Sequence, residues 1–79
     1  MYYVYIIQSQ KDRSIYKGMT ENLQKRLGEH NSGSVKSTKL SRPHELIWYC
    51  AFPGKKKASK FEEYLKHGSG HAFAKKHLI

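Results

Sequence analysis

Five side chains of the kinds that take part in acid–base and electrostatic catalysis are spaced so that folding can bring them together. They are two tyrosines, an arginine, a histidine and a glutamate, namely Tyr5, Tyr16, Arg26, His30 and Glu62. Hydrolysis of a phosphodiester needs a deprotonated water, a donor for the developing negative charge, and stabilisation of the leaving oxygen. This set contains a group for each role, so it is a candidate metal-assisted phosphodiesterase site.

Arg26 and His30 stand at positions i and i+4 of a predicted helix, so both side chains project from one face. The guanidinium offers a fork of donors suited to a phosphate oxygen, and an imidazole can exchange a proton near neutral pH. The alternative is an exposed basic helix face that also includes Lys25.

Glu62 is the candidate metal ligand. A lone carboxylate, completed by water and substrate phosphate, suits one Mg²⁺ ion, or Mn²⁺ in its place. Glu63 offers the same chemistry on another face of the helix, and a solvated surface role is open for both. Zinc is not expected, because the histidines at 44, 67, 71 and 77 have no accompanying cysteine pair.

Tyr5 and Tyr16 fall on adjacent predicted strands, where facing side chains come within about 5 Å of each other. Their hydroxyls can line a site or hydrogen-bond to each other. An unperturbed phenol titrates near pH 10, so a tyrosine acting as a base needs a nearby cation. The alternative is a pair of half-buried strand aromatics.

Size and charge favour a small domain with a polyanionic partner. The chain has 79 residues and a formal net charge of +9, so we expect one domain over residues 1–79 that binds nucleic acid. An anionic membrane surface is the second candidate partner, and lysines that only maintain solubility are the plain alternative. The lone Cys50 lies in an apolar run and predicts a buried thiol in a reducing, cytoplasmic compartment, with no membrane segment.

The pattern of apolar, turn and capping residues predicts an α+β domain with element order ββαβαα, a small three-stranded antiparallel sheet flanked by helices. Thr20 is the predicted N-cap of the first helix. The apolar third strand is predicted to be central, and residues 35–44 a DNA-facing surface loop. The predicted strands cover residues 2–8, 15–19 and 45–52, and the predicted helices cover 20–30, a segment from 56 onward, and 72–78.

Two triplets and two helices of this chain resemble the GIY-YIG nuclease superfamily, in particular its small stand-alone bacterial branch. Val4-Tyr5-Ile6 stands where the first signature triplet falls, and Tyr16-Lys17-Gly18 where the second falls. Residues 20–31 are similar to the arginine-bearing helix and residues 60–66 to the glutamate helix. The resemblance covers almost the whole chain.

The resemblance implies a role for each residue of the candidate site. Tyr16 would act as the base or help to activate it, with Tyr5 as its hydrogen-bonding neighbour. Arg26 would stabilise phosphate charge, and His30 would be an auxiliary proton-transfer or phosphate group. Glu62, in preference to Glu63, would hold one divalent ion.

We therefore expect a Mg²⁺-dependent endonuclease that hydrolyses DNA in processing or repair, on branched, nicked or single-stranded substrates. A partner protein can supply specificity, and the chain is expected to be a monomer or a weak homodimer. The alternatives are a catalytically silent nucleic-acid-binding module and a homodimer whose basic surface is incidental. DNA affinity is expected from basic residues, namely Lys17, Lys36, Lys39, Arg42, Lys55, Lys56 and Lys57.

Overall fold

Strand β1 (Tyr2–Ser9) is the centre of a three-stranded antiparallel sheet in the computed structural model, which describes residues 1–79. Strands β2 (Ile15–Thr20) and β3 (His44–Phe52) flank it in the order β2-β1-β3. Helix α1 (Leu23–Ser32) follows β2, and helices α2 (Lys55–Lys66) and α3 (Gly68–His77) follow β3. The predicted α+β class and element order ββαβαα are confirmed.

The prediction that the third strand is central was wrong, because β3 is an edge strand that pairs with β1 alone. Its apolar run reflects aromatic packing on a helix: Trp48 and Phe52 both contact Phe61 of α2, whereas Tyr49 is exposed. The strand buried on both faces is β1, where every residue from Val4 to Ile7 is buried.

The two faces of the sheet are covered by different helices. Val4 and Ile6 point to one face and form the hydrophobic core with Ala58, Leu65 and Ala74 of α2 and α3. Because successive strand residues point to opposite faces, the residues between them face the other side, where α1 lies. Fully burying one such aliphatic side chain stabilises the fold by about 1.5–3 kcal/mol.

The N-cap and the first helical residue of α1 lie two residues later than predicted. Thr20 ends β2, and the N-cap is Asn22, whose side-chain oxygen accepts a hydrogen bond from the backbone N–H of Lys25 at 3.1 Å. Thr20 instead accepts from the Asn22 backbone N–H at 3.1 Å. The helix ends at Gly33, whose φ of 86° lies in the left-handed region that glycine adopts without strain.

The segment between α1 and β3 is not a loop lying wholly on the surface. It contains a short 3₁₀ turn, Lys39–Ser41, and it buries Val35 and Thr38 against the α1 face of the sheet. The Asn31 side chain fixes its far end by bonding to both backbone polar groups of His44, at 2.7 and 3.1 Å. The segment therefore has a buried side and an exposed side.

Helix α3 starts at Gly68, four residues before the predicted start, and follows α2 almost directly. The close approach depends on Gly70, because a Cβ there would collide with the backbone carbonyl of Tyr64. Cys50 is half-buried at the edge of the core, and burial raises the pKa of its thiol. None of the helices has the length and apolar character needed to cross a membrane.

We expect Gly70→Ala to lower the free energy of unfolding by about 1–3 kcal/mol, because the new methyl group must push α3 away from α2. The measurement is chemical denaturation followed by circular dichroism. Gly28→Ala is the matched control, since it lies within α1 with open space around it and should stabilise the protein by about 0.5–1 kcal/mol. Equal stability of the Gly70 variant and the native protein would contradict the packing described here.

Candidate active site

A hydrogen bond between two buried side chains is the centre of the candidate site. The Tyr5 hydroxyl lies 2.8 Å from Nε2 of His30, and both residues are buried. Tyr5 is on β1 and points to the face that α1 covers, which is where the last turns of α1 present His30. The bond therefore joins the central strand to the helix that carries Arg26.

Gly18 makes room for this arrangement. It is the direct partner of Tyr5 in the pairing of β1 with β2. The Tyr5 phenol crosses over it, so a Cβ at position 18 would lie only 2.5 Å from the Tyr5 hydroxyl oxygen. A residue with any side chain would have to displace the tyrosine.

His30 continues the hydrogen-bond chain away from Tyr5. Its Nδ1 lies 2.7 Å from the Thr38 hydroxyl, which in turn can donate to the Val35 carbonyl at 3.5 Å. A neutral imidazole donates from one nitrogen and accepts at the other. One direction satisfies every group: Tyr5 donates to Nε2, Nδ1–H donates to Thr38, and Thr38 donates to Val35. The ring is thereby fixed in one tautomer.

The electrostatics agree with a neutral His30. Burial, reinforced by the positive charge of Arg26, lowers the pKa of His30 from 6.5 to about 4. Burial also raises the pKa of Tyr5, although the adjacent Arg26 guanidinium opposes that shift. At neutral pH, Tyr5 is therefore a protonated phenol held in place by an uncharged imidazole.

Tyr16 packs on the same cluster through its ring. The centroids of Tyr16 and His30 are 5.0 Å apart in an edge-to-face contact, and those of Tyr16 and Tyr5 are 6.4 Å apart. Tyr16 pairs with Ile7 on β1, so it is a diagonal neighbour of Tyr5 and does not face it directly. The hydrogen bond of Tyr5 goes to His30 and not to Tyr16, and Tyr16 remains partly exposed.

Arg26 lies at the solvent side of the cluster. Its side chain is 36% exposed, and Nη1 donates to Oε1 of Glu29 at 3.0 Å. Hydrogen bonding to Glu29, and then to Tyr5, raises the pKa of the guanidinium. Arg26 also lines an open surface cleft whose other residues are Met19, Thr20, Glu21, Asn22, Lys25 and Glu29.

Glu62 is on α2, the helix that packs against the other face of the sheet. Its side chain is 21% exposed, and Oε2 is ion-paired with Lys66 at 3.0 Å. The pKa of Tyr5 is raised chiefly by burial, and the negative charge of Glu62 is the least of the causes that act on it. Glu63, next in the chain, is exposed. The structure thus brings Tyr5, Tyr16, Arg26 and His30 into one cluster, whereas Glu62 stands on α2 in an ion pair with Lys66.

Lys17 does not lie with the basic surface residues. It is on the core face of β2 and is buried, and Nζ donates to the Leu65 carbonyl at 2.8 Å and contacts Nδ1 of His71 at 2.9 Å. Burial lowers the pKa of its ammonium group. Lys17 therefore ties the strand that carries Tyr16 to the end of α2 and the start of α3.

The other predicted DNA-binding residues are exposed, and they lie on two elements. One group is on the outer side of the α1–β3 connection, and the other forms the first turn of α2. They are Lys36, Lys39, Arg42, Lys55, Lys56 and Lys57.

Sequence reasoning missed Thr38 and Lys66. Thr38 stands in a polar, basic segment, and the only local sign of burial is its β-branched side chain three residues after Val35. Lys66 follows Glu62 at i+4, a spacing from which an ion pair on a helix can be predicted.

Comparison with known proteins shows the family of this chain. The sequence pattern of the GIY-YIG catalytic domain matches residues 1–76, so the chain belongs to the GIY-YIG family, a nuclease-like superfamily. The more particular relationship is to proteins named UPF0213. One, from Clostridium perfringens, is 42% identical over 67 residues, which is 84% of this chain and 71% of the relative. Another, from Lactiplantibacillus plantarum, is 41% identical over 71 residues, covering 86% of this chain and 69% of the relative.

A solved structure supports the same fold. The solution NMR structure of a UPF0213 protein from Bacillus halodurans superposes with a TM-score of 0.57 at 35% sequence identity. The match covers 95% of this chain and 81% of that one. The three relatives bear family names that state no reaction.

We predict that native stability falls as the pH is lowered from about 6.5 to about 4, by up to about 3 kcal/mol for His30 alone. In that range the unfolded chain protonates this histidine, whereas the native state excludes the proton. His44 is also buried with a lowered pKa and acts in the same direction. The measurement is urea unfolding across this pH range.

His30→Gln should show a shallower dependence of stability on pH than the native protein does. His77→Gln changes an exposed histidine of α3 and is the control, so it should keep the native slope. A native-like slope in the His30 variant would mean that His30 is not held neutral in the folded protein.

Proposed function

We propose that this domain is an endonuclease that hydrolyses DNA phosphodiester bonds with the help of one divalent ion, in DNA processing or repair. One observation carries the proposal: Tyr5, Tyr16 and Arg26 meet around His30 in a chain that belongs to the GIY-YIG family. The supporting observation is the net charge of +9, which favours a polyanionic substrate.

Arg26 is the group that binds phosphate in this proposal. Its guanidinium is partly exposed, borders an open cleft and is oriented by Glu29. A planar fork of donors can bind a nonbridging phosphate oxygen more strongly as negative charge develops on that oxygen in the transition state. Glu29 keeps the side chain from sampling other rotamers before the substrate arrives.

The two tyrosines differ in their exposure and their role. Tyr5 is buried and its pKa is raised, so it keeps its proton and acts as a fixed hydrogen-bonding group beside Arg26. Tyr16 is partly exposed and is the tyrosine that can reach an attacking water, either to orient it or to take its proton. His30 is buried with both ring nitrogens hydrogen-bonded, so we assign it to positioning Tyr5 and Tyr16 and not to contact with phosphate.

Glu62 fits a single Mg²⁺ or Mn²⁺ ion. It offers hard carboxylate oxygens, and it is not part of a cluster of three or more histidine, cysteine or acidic side chains. A site with one protein ligand suits magnesium, which usually retains several waters. Bound there, the ion would supply Lewis-acid stabilisation of charge on a phosphate oxygen. Lys66 would have to give up or share the carboxylate oxygen that it holds.

Affinity for DNA would come from the exposed lysines and arginine outside the cluster. Lys55, Lys56 and Lys57 stand in the first turn of α2, which has no acidic residue. Cations are repelled by the positive end of a helix dipole, and a bound phosphate would offset this repulsion. Such contacts are independent of base sequence and depend steeply on salt.

The second candidate function is a catalytically silent nucleic-acid-binding module. The ion pair between Glu62 and Lys66 favours it, because this carboxylate already has a cationic partner. The two functions differ in their need for metal: binding by lysines survives chelation, whereas cleavage does not.

We expect the native protein to nick supercoiled plasmid, or to cut labelled branched or single-stranded DNA, in Mg²⁺ or Mn²⁺ but not in chelator. Glu62→Gln should abolish this cleavage, because the amide keeps the size of the side chain but loses the charge that holds a cation. Calorimetric titration with Mn²⁺ should show the parallel loss of metal binding.

Glu63→Gln is the matched control, because it removes the same charge from an exposed neighbour and should leave cleavage unchanged. Retained DNA binding with no cleavage of any substrate would instead support the silent module. Cleavage that survives in Glu62→Gln would remove this residue from the proposal.

A further inference from the structure

A pair of aromatic residues, half-buried Tyr3 and exposed Tyr49, lies on the same face of the sheet as Tyr5. Tyr49 of β3 is the direct pairing partner of Tyr5, and Tyr3 precedes Tyr5 by two residues on β1. The rings of Tyr3 and Tyr49 meet edge to face with centroids 6.1 Å apart. Tyr49 is 53% exposed, which leaves much of its side chain open to solvent.

The pair forms one wall of a cleft, and the start of α1 forms the other. The residues opposite the rings are Glu21, Asn22, Leu23 and Gln24. The side-chain oxygen of Asn22 is already used by the N-cap hydrogen bond, so its NH₂ group is the part that can serve a ligand. The cleft therefore combines aromatic surface with amide donors and a carboxylate acceptor.

These groups suit a nucleobase better than a phosphate. Base faces stack on tyrosine regardless of sequence, and base edges exchange hydrogen bonds with amides and carboxylates. No lysine or arginine lines this cleft to hold a phosphate, and Glu21 can accept a hydrogen bond from an exocyclic amine. A paired base presents neither face, because both are stacked in a duplex, so the occupant must be unpaired.

The cleft adjoins the one that Arg26 lines, because Glu21 and Asn22 border both. Lys25 and Arg26 line the second cleft only, together with Glu29, which is paired with Arg26. A nucleotide lying across the start of α1 would thus place its base beside the tyrosines and its phosphate beside Lys25 and Arg26.

We propose that Tyr3 and Tyr49, with Asn22 and Gln24, form a binding subsite for an unpaired nucleobase next to the phosphate-binding position of Arg26. This inference rests on the proposed function for its choice of substrate, and it narrows that substrate to nucleic acid with an unpaired base beside the bound phosphate.

The test is equilibrium binding in chelator at low salt, so that no cleavage takes place. The probes are a fluorescently labelled single-stranded deoxycytidine oligonucleotide, whose bases carry an exocyclic amine, and an oligonucleotide of the same length built of abasic sites, which carries the same phosphates. The native protein should bind the deoxycytidine strand more tightly, by about 5- to 150-fold for one stacked base. Tyr49→Ala should remove this preference, and Tyr49→Phe, which keeps the ring, should retain it. The salt dependence should be the same in all three proteins, because the phosphate contacts are unchanged.

Equal affinity of the native protein for the two strands, or no binding of either, would overturn the proposal, as would a preference that survives in Tyr49→Ala. Sedimentation of the same proteins tests whether a second copy of this chain occupies the cleft instead. The cleft is a self-association surface if Tyr49→Ala converts a dimer into a monomer and the native protein shows no base preference. Cleavage in Mg²⁺ is measured separately, so a missing base preference can be distinguished from a missing nuclease activity.

Discussion

The packing of the Tyr5 phenol across Gly18 onto His30 is the constraint on which the rest of the site depends. The hydroxyl can reach Nε2 only because the opposing position of β2 has no side chain, and the bond between them joins the sheet to α1. Thr38 then fixes the far side of the imidazole. Arg26, Tyr16 and the buried part of the α1–β3 connection take their positions around this chain of hydrogen bonds.

The same packing leaves two polar residues of the cluster buried and two accessible to a ligand. His30 and Tyr5 satisfy each other in the interior, where an unpaired polar group would cost about 1–3 kcal/mol. Arg26 and Tyr16 are the members of the cluster that remain partly exposed. On the opposite face, Lys17 links β2 to the last turn of α2 through the Leu65 carbonyl, one turn after Glu62. The two layers that carry the proposed catalytic groups are thus joined through the strand that holds Tyr16.

Local patterns were sufficient for the class and the element order, and helical spacing was sufficient to place Arg26 and His30 on one helix face. That this face meets Tyr5 and Tyr16 was expected mainly from the resemblance to the GIY-YIG family, because the contact between helix and strands is tertiary. Predictions from local patterns were wrong or missing where tertiary contacts determine whether a strand is central or a side chain is buried. The apolar run of β3 is explained by the packing of Trp48 and Phe52 on Phe61, and an edge strand packed in this way looks like a central one. Lys17 was predicted at the surface because a lysine in a short strand has no local sign of a buried carbonyl acceptor. Thr38 was missed because its partner is a histidine on a different element.

In the function proposed here, catalysis depends on Tyr5 being held between Gly18 and His30. The most direct measurement is the single-turnover rate of Mg²⁺-dependent DNA cleavage by the native protein, by Gly18→Ala and by Gly28→Ala, each first shown to be folded. We expect Gly18→Ala, whose methyl group displaces the phenol, to lose cleavage and Gly28→Ala to retain the native rate. Native-like cleavage by folded Gly18→Ala, or no cleavage by the native protein, would contradict this expectation.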